Sequence, residues 1–190
     1  MSITEPAPRS VADVCRLQEQ GHRMKYLFFW GPQQHTSRGV DKTCLSQWYE
    51  GYDFTVDGVT YRTAEHWMMA HKARLFGDEE AFDRIIEASH PRQAKELGRK
   101  ISAFDEATWV AHRSEIVTVG NVGKFSQHPD LNAYLIGTGS RILVEASPLD
   151  RIWGIGMAAD HDHATQPDQW RGLNLLGFAL MEARTRIAKA

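Results

Sequence analysis

The stretch Phe54-Thr-Val-Asp-Gly-Val-Thr-Tyr61, followed by Arg62 and Thr63, constrains the fold of this chain more than any other segment. Asp57-Gly58 suits the two positive φ angles of a type I′ turn, and apolar residues alternate on both sides, so a β-hairpin is predicted. Thr63 then caps a helix reaching to about Phe76, in which Ala64, Trp67, Met68, His71 and Leu75 keep the spacing of one buried face. Gly77 ends that helix.

The rest of the chain is mostly helical in pattern. Helices are predicted over about 78–88, with Phe82, Ile85 and Ile86 inward, and from Pro91, which suits a first helical position. Asp105 caps another that carries Trp109, Val110, Arg113, Ile116 and Val117, and a further one runs from Pro129 to Gly137. Leu173 to Ile187 forms the last helix, and Ser10 caps a short one near the start. Tyr26–Trp30 reads as a buried strand and Arg141–Ala146 as a short one. Gly31–Thr43 reads as a loop. Residues 148–172 form a long irregular stretch, and such stretches in small domains are often functional. The expected fold is a helix-rich α+β single domain with a β-hairpin and a small sheet, spanning 23–190. A partly helical N-terminal extension, 1–22, precedes it.

Composition removes several function classes. At 42% hydrophobic and 24% charged, the 190 residues can bury a core and are not expected to be disordered. A net charge of −2 without a Lys/Arg run does not favour a nucleic acid partner, although a phosphorylated small molecule needs only a few local cations. Cys15 and Cys44 form no CxxC pair, so inert thiols are expected rather than a disulfide or zinc framework. Neither a membrane span nor a signal peptide is legible, which makes the cytoplasm the expected compartment and a membrane partner unexpected.

Chemistry-bearing residues fall in a few places. Glu65 and Lys72 lie seven residues apart on one helical stripe with Met69 between them. On periodicity alone the pair reads as a solvated helix face, and the functional alternative is a pocket wall. Asp150-Arg-Ile-Trp-Gly-Ile-Gly156 places a tryptophan between glycines just after an acid. That suits a base-stacking wall, worth about 1–3 kcal/mol per base, or a plug in the core. Asp160-His-Asp-His163 lacks further ligands at metal-site spacing, so no metal is expected. Gly137-Thr-Gly139 follows a helix instead of opening one and reads as a C-cap. Of the six tryptophans, some must fill the core and some can face a planar ligand.

Taken in order, Arg62-x-x-Glu65-His66-Trp67-x-x-x-x-Lys72-Ala73, Trp109 with Arg113, Lys124-Phe125-x-Gln127, Leu143-x-Glu145, Asp150-x-x-Trp153-Gly-x-Gly156 and Gly172-x-Asn174-x-x-Gly177 resemble the NADAR family, also called YbiA-like. The resemblance runs from about Tyr26 to Ile187. It departs at Leu45-Ser46-Gln47, where the family commonly has Phe-Ser-Asn, and at Ile155, where some members carry an acid.

The resemblance implies an N-glycosidase without a cofactor, acting on a phosphorylated ribosyl small molecule. Family members hydrolyse phosphoribosylated aminopyrimidine intermediates of riboflavin synthesis, and others remove ADP-ribose from guanine bases. It implies site roles for Glu65, Trp109, Asp150 and Trp153. Breaking a ribosyl C–N bond builds positive charge at the anomeric carbon, which a carboxylate can offset. On that basis Glu65 is expected to stabilise the cation or activate water, and Asp150 to act as a second acid. Trp153 and Trp109 are expected to sandwich the base, and Asn174 to bind substrate. Arg62, Lys72 and Lys124 are the candidate phosphate partners. Lys72 has a second candidate role, imine formation with an opened ribose. A non-catalytic ADP-ribose or nucleotide binder is the rival class; it would not need Glu65.

Overall fold

In the computed structural model, which describes residues 7–31 and 39–190, Asp57 and Gly58 have φ angles of 51° and 77°. Both are positive, as a type I′ turn requires. They join β2 (Phe54–Val56) to β3 (Val59–Tyr61), paired antiparallel with Phe54 opposite Tyr61. The hairpin belongs to one of two compact units, Gln33–Tyr134; the other comprises Met1–Pro32 and Leu135–Ala190.

Within Gln33–Tyr134 the hairpin leads into α2 (Ala64–Leu75), whose N-cap Thr63 accepts from the His66 N–H. Then come α3 (Glu79–Glu87) capped by Asp78, α4 (Pro91–Gly98) with proline in its first turn, and α5 (Glu106–Gln127) capped by Asp105. All three pack on α2, and β2 packs on α5. Enclosure by three helices explains a difference from the one-faced helix read from sequence. Every residue from Ala64 to Ala70, and Ala73, is buried, whereas His71 and Leu75 are only half-buried. Trp67 anchors the unit. Its ring lies 4.9 Å from Tyr61 and 6.1 Å from Phe54, and its indole N–H donates to the Ile116 carbonyl at 2.7 Å. The indole fits because α5 has a glycine beside it: a Cβ on Gly120 would stand 2.2 Å from Trp67 Cδ1.

The other unit holds a two-stranded parallel sheet, β1 (Tyr26–Phe29) beside β4 (Ile142–Glu145), in register from Tyr26–Ile142 to Phe29–Glu145. Both strands are shorter than their sequence patterns. In β1 only Phe29 is buried, and Trp30, beyond its end, is 50% exposed, so the run is not the fully buried strand expected. The division at Tyr134–Leu135 falls within the sequence of α6 (Pro129–Gly137), and α7 (Leu175–Ile187) packs on β4. The N-terminal α1 (Val11–Glu19), capped by Ser10, packs against a short 3-10 turn at Pro167–Gln169 and buries Val14 completely. The expected loop Gly31–Thr43 lies largely outside the described residues; its end, Lys42–Leu45, is a 3-10 turn capped by Asp41. Among the described residues no helix is long and apolar enough to cross a membrane.

Candidate active site

Glu65 sits in the first turn of α2, where the helix dipole favours a carboxylate, and is 2% exposed. The solvated-face reading of Glu65 therefore does not hold. A buried acid needs surroundings that hold it in one place, and these are specific. The Glu65 N–H donates to the Gln47 carbonyl at 2.9 Å, and Gln47 Nε2 donates to the Ala64 carbonyl at 3.4 Å. Asn121 of α5 donates through Nδ2 to Gln47 Oε1 at 3.0 Å and to the Val117 carbonyl at 2.9 Å. One turn on, Lys124 Nζ donates to the carbonyls of Cys44 at 2.7 Å and Ser46 at 3.1 Å. The segment 44–47 is thus fixed to α5 from one side and holds the start of α2 from the other.

Lys124 is fully buried, with its ammonium 5.3 Å from the Tyr49 ring and 5.0 Å from the Phe125 ring. Burial pulls its pKa down to about 8. Its hydrogen bonds go to backbone. Neighbouring Cys44 is buried too, and burial pushes its thiol up to about 12, which makes it unreactive.

Lys72, on the Glu65 stripe, is half-buried. Its Nζ donates to the Gly98 carbonyl at 2.9 Å and lies 4.3 Å from the centre of the Phe104 ring and 5.6 Å from that of Trp109. Burial lowers its pKa, and the Glu106 carboxylate opposes the shift. Gly98 leaves room there for Met69, whose Sδ would lie 2.1 Å from a Cβ at that position and would have to move. Trp109 and Arg113 are both 8% exposed, and Arg62, just before the cap, is exposed. Trp109 is therefore a core ring facing an ammonium. Asn121, Gly98 and Phe104 are not singled out by the sequence, and Gln47 enters there only as a departure from the family pattern. A signal existed for Asn121: Trp109, Arg113, Val117 and Asn121 recur every four residues, a stripe carrying two polar groups on a buried face.

The remaining candidates lie in the unit of Met1–Pro32 and Leu135–Ala190. Asp150 Oδ1 accepts from the backbone N–H groups of Ile152 and Trp153, both at 2.8 Å, and so closes a turn that presents Trp153 half-buried. Asn174 is fully buried at φ 52°, a left-handed conformation that asparagine tolerates. Its Oδ1 accepts from the Glu145 N–H and its Nδ2 donates to the Leu143 carbonyl, both at 3.0 Å, so the side chain completes the free edge of β4. Thr138 at the end of α6 returns its hydroxyl to the Leu135 carbonyl, as a C-cap does. His163 pairs with Gln166, and among the described residues no three metal-ligating side chains converge.

A hairpin leading into an enclosed helix with a buried acid in its first turn, together with a short parallel sheet, matches a known class of α+β domain. The NADAR domain family matches residues 28–188, and the chain belongs to that family. It is similar to an N-glycosidase of Acanthamoeba polyphaga mimivirus, 43% identical over 164 residues that cover 84% of this chain and 95% of that protein. N-glycosidase YbiA of Escherichia coli is 32% identical over 140 residues, 74% of this chain and 79% of YbiA. The NMR structure of E. coli YbiA matches with a TM-score of 0.65 at 28% identity, covering 88% of each chain. A chloroplastic riboflavin biosynthesis protein of Zea mays, PYRR, is 33% identical over 138 residues, 69% of this chain and 20% of that protein.

Proposed function

We propose that this chain hydrolyses the C–N bond between a phosphorylated ribose and its base in phosphoribosylaminopyrimidine intermediates of riboflavin biosynthesis, releasing ribose 5-phosphate. As a NADAR-family chain with N-glycosidase relatives, it is a hydrolase acting on N-glycosyl bonds. The observation that carries the reading is the buried carboxylate of Glu65, anchored through Gln47. Similarity to the maize riboflavin biosynthesis protein supports the riboflavin branch.

In the proposed reaction water adds across the bond. Its hydroxyl goes to the anomeric carbon, and its proton ends on the departing nitrogen. Glu65 faces the positive charge that develops in between, or draws the proton from the water. Because the Lys124 ammonium is spent on two carbonyls, the phosphate falls to Arg62 and Lys72. In the other unit, the proposed part of Asp150 is to order the turn that carries Trp153, whose ring is offered to a base.

Burial of Lys72, which lowers its pKa, favours a second reading of that residue alone. As a free amine it would condense with the aldehyde of an opened ribose, releasing water and forming an imine. Borohydride added during turnover would then fix the sugar on Lys72, and peptide mass spectrometry would find it. Without such an adduct, Lys72 is a phosphate partner only.

The test of the function is a product assay. Wild-type chain and Glu65→Gln are incubated with the two phosphoribosylaminopyrimidines and with an ADP-ribosylated guanine oligonucleotide. Ribose 5-phosphate from the first pair, lost in the variant, is the expected result. Release of ADP-ribose alone would move the chain to the guanine branch. No release from any substrate, with tight binding of ADP-ribose, would make it a binding module.

A further inference from the structure

Phe104 is a large apolar ring left 43% exposed, and it is none of the residues through which family membership is read. It sits in the turn between α4 and α5, and that turn is held on both sides. Asp78 Oδ2 accepts from the Ser102 N–H and from its hydroxyl, both at 2.8 Å, while Asp78 Oδ1 caps α3. Ala103 adopts φ 53°, a left-handed angle that a non-glycine residue keeps only where its surroundings enforce it. Phe76 at the end of α2 meets the Phe104 ring edge-on, with centroids 5.2 Å apart. These constraints aim the ring at one partner, the Lys72 ammonium, 4.3 Å from its centre. With Trp109 at 5.6 Å and the Gly98 carbonyl at 2.9 Å, the ammonium is placed by two rings and one acceptor. A lysine side chain otherwise swings through many rotamers, and fixing it ahead of binding removes that entropy loss from the complex.

We propose that Phe104 is a positioning residue for the ribosyl-hydrolase site, acting through Lys72, whose ammonium it holds against the Gly98 carbonyl from the solvent side. This rests on the reading of Lys72 as a working residue of the proposed reaction. The seat predicts a substrate with an oxyanion, because the Gly98 carbonyl takes one of the three ammonium N–H groups and an anion suits the others. It also distinguishes Phe104 from a core residue, whose loss would act through stability alone.

The experiment has two arms, each on wild type, Phe104→Ala and Phe104→Tyr. In the first, lysines are reductively methylated with formaldehyde and cyanoborohydride, and the rate at Lys72 is followed by peptide mass spectrometry. Phe104→Ala should speed labelling of Lys72 about fivefold while other lysines keep their rates, and Phe104→Tyr should restore slow labelling. In the second, turnover of the phosphoribosylaminopyrimidine that the wild type accepts is measured. Phe104→Ala should raise KM about tenfold with a smaller change in kcat, and Phe104→Tyr should recover most of it. Unchanged labelling in Phe104→Ala overturns the proposal, and so does faster labelling with unchanged kinetics. If the wild type turns over no substrate, the functional reading fails by itself, and the labelling arm still decides whether Phe104 holds Lys72.

Discussion

The backbone N–H of Glu65 donates to the carbonyl of Gln47, 18 positions earlier, at 2.9 Å, and so the one acid in the first turn of α2 is tied to a segment outside its own helix. Because that tie is made by backbone, changing the Glu65 side chain leaves it intact. Glu65→Gln is therefore expected to fold with nearly wild-type stability while kcat falls about 100- to 10,000-fold. Thermal unfolding and turnover measured on the same preparation check both halves, and near-full activity would remove Glu65 from the mechanism.

Lys124→Met should act on stability as well as on turnover. It removes the donor to the Cys44 and Ser46 carbonyls; Ser46 keeps the Tyr49 N–H at 3.3 Å, whereas the Cys44 carbonyl is left beside an apolar side chain. Stability should fall by about 1–3 kcal/mol in urea unfolding, the cost of one stranded buried polar group. Turnover per folded molecule should fall as well, because the 44–47 segment anchors Glu65.

Gly120→Ala tests the packing of Trp67. Alanine is the better helix former by about 1 kcal/mol. Its Cβ, however, would stand 2.2 Å from a rigid indole enclosed by Tyr61 and Phe54. Overpacking should win, with a net loss of about 1–3 kcal/mol by urea unfolding. A gain in melting temperature would contradict this account of the core.

Acid should weaken the fold through His71. Its ring packs 3.7 Å from the Trp67 ring, and burial pulls its pKa from 6.5 to about 4. The unfolded chain binds the proton first, so His71's contribution is complete above pH 6.5 and is lost as pH falls towards 4. His66, also lowered by burial, acts in the same direction. Urea midpoints at pH 7 and pH 5 should differ less in His71→Gln than in wild type; equal differences would count against the assignment.

Asn174→Ala should cost about 2–4 kcal/mol. It removes both hydrogen bonds to β4 and places a residue less tolerant of φ 52° at that position. Asn174→Gly, which relieves only the backbone, should recover a minor part. Hydrogen exchange of the Glu145 amide gives a local readout.

The sequence by itself determined what depends on neighbours in the chain. The Asp57-Gly58 turn, the caps at Ser10, Thr63 and Asp105 and the starts at Pro91 and Pro129 are set by φ angles and orphan amides a few residues away. Helix faces were less legible, because α2 touches three helices and hides the periodicity that marks a single face. What the tertiary structure decided is which polar groups are spent on the scaffold and which are buried for other use. Lys124 binds carbonyls 80 and 78 residues away, Asn121 reaches Gln47 across 74, and Lys72 finds Gly98 across 26. Lys124, enclosed and bonded to two carbonyls, and Lys72, half-buried and bonded to one, have the same letter and the same local pattern. Only desolvation and the partners brought by distant segments separate them, and neither is encoded within one helical turn.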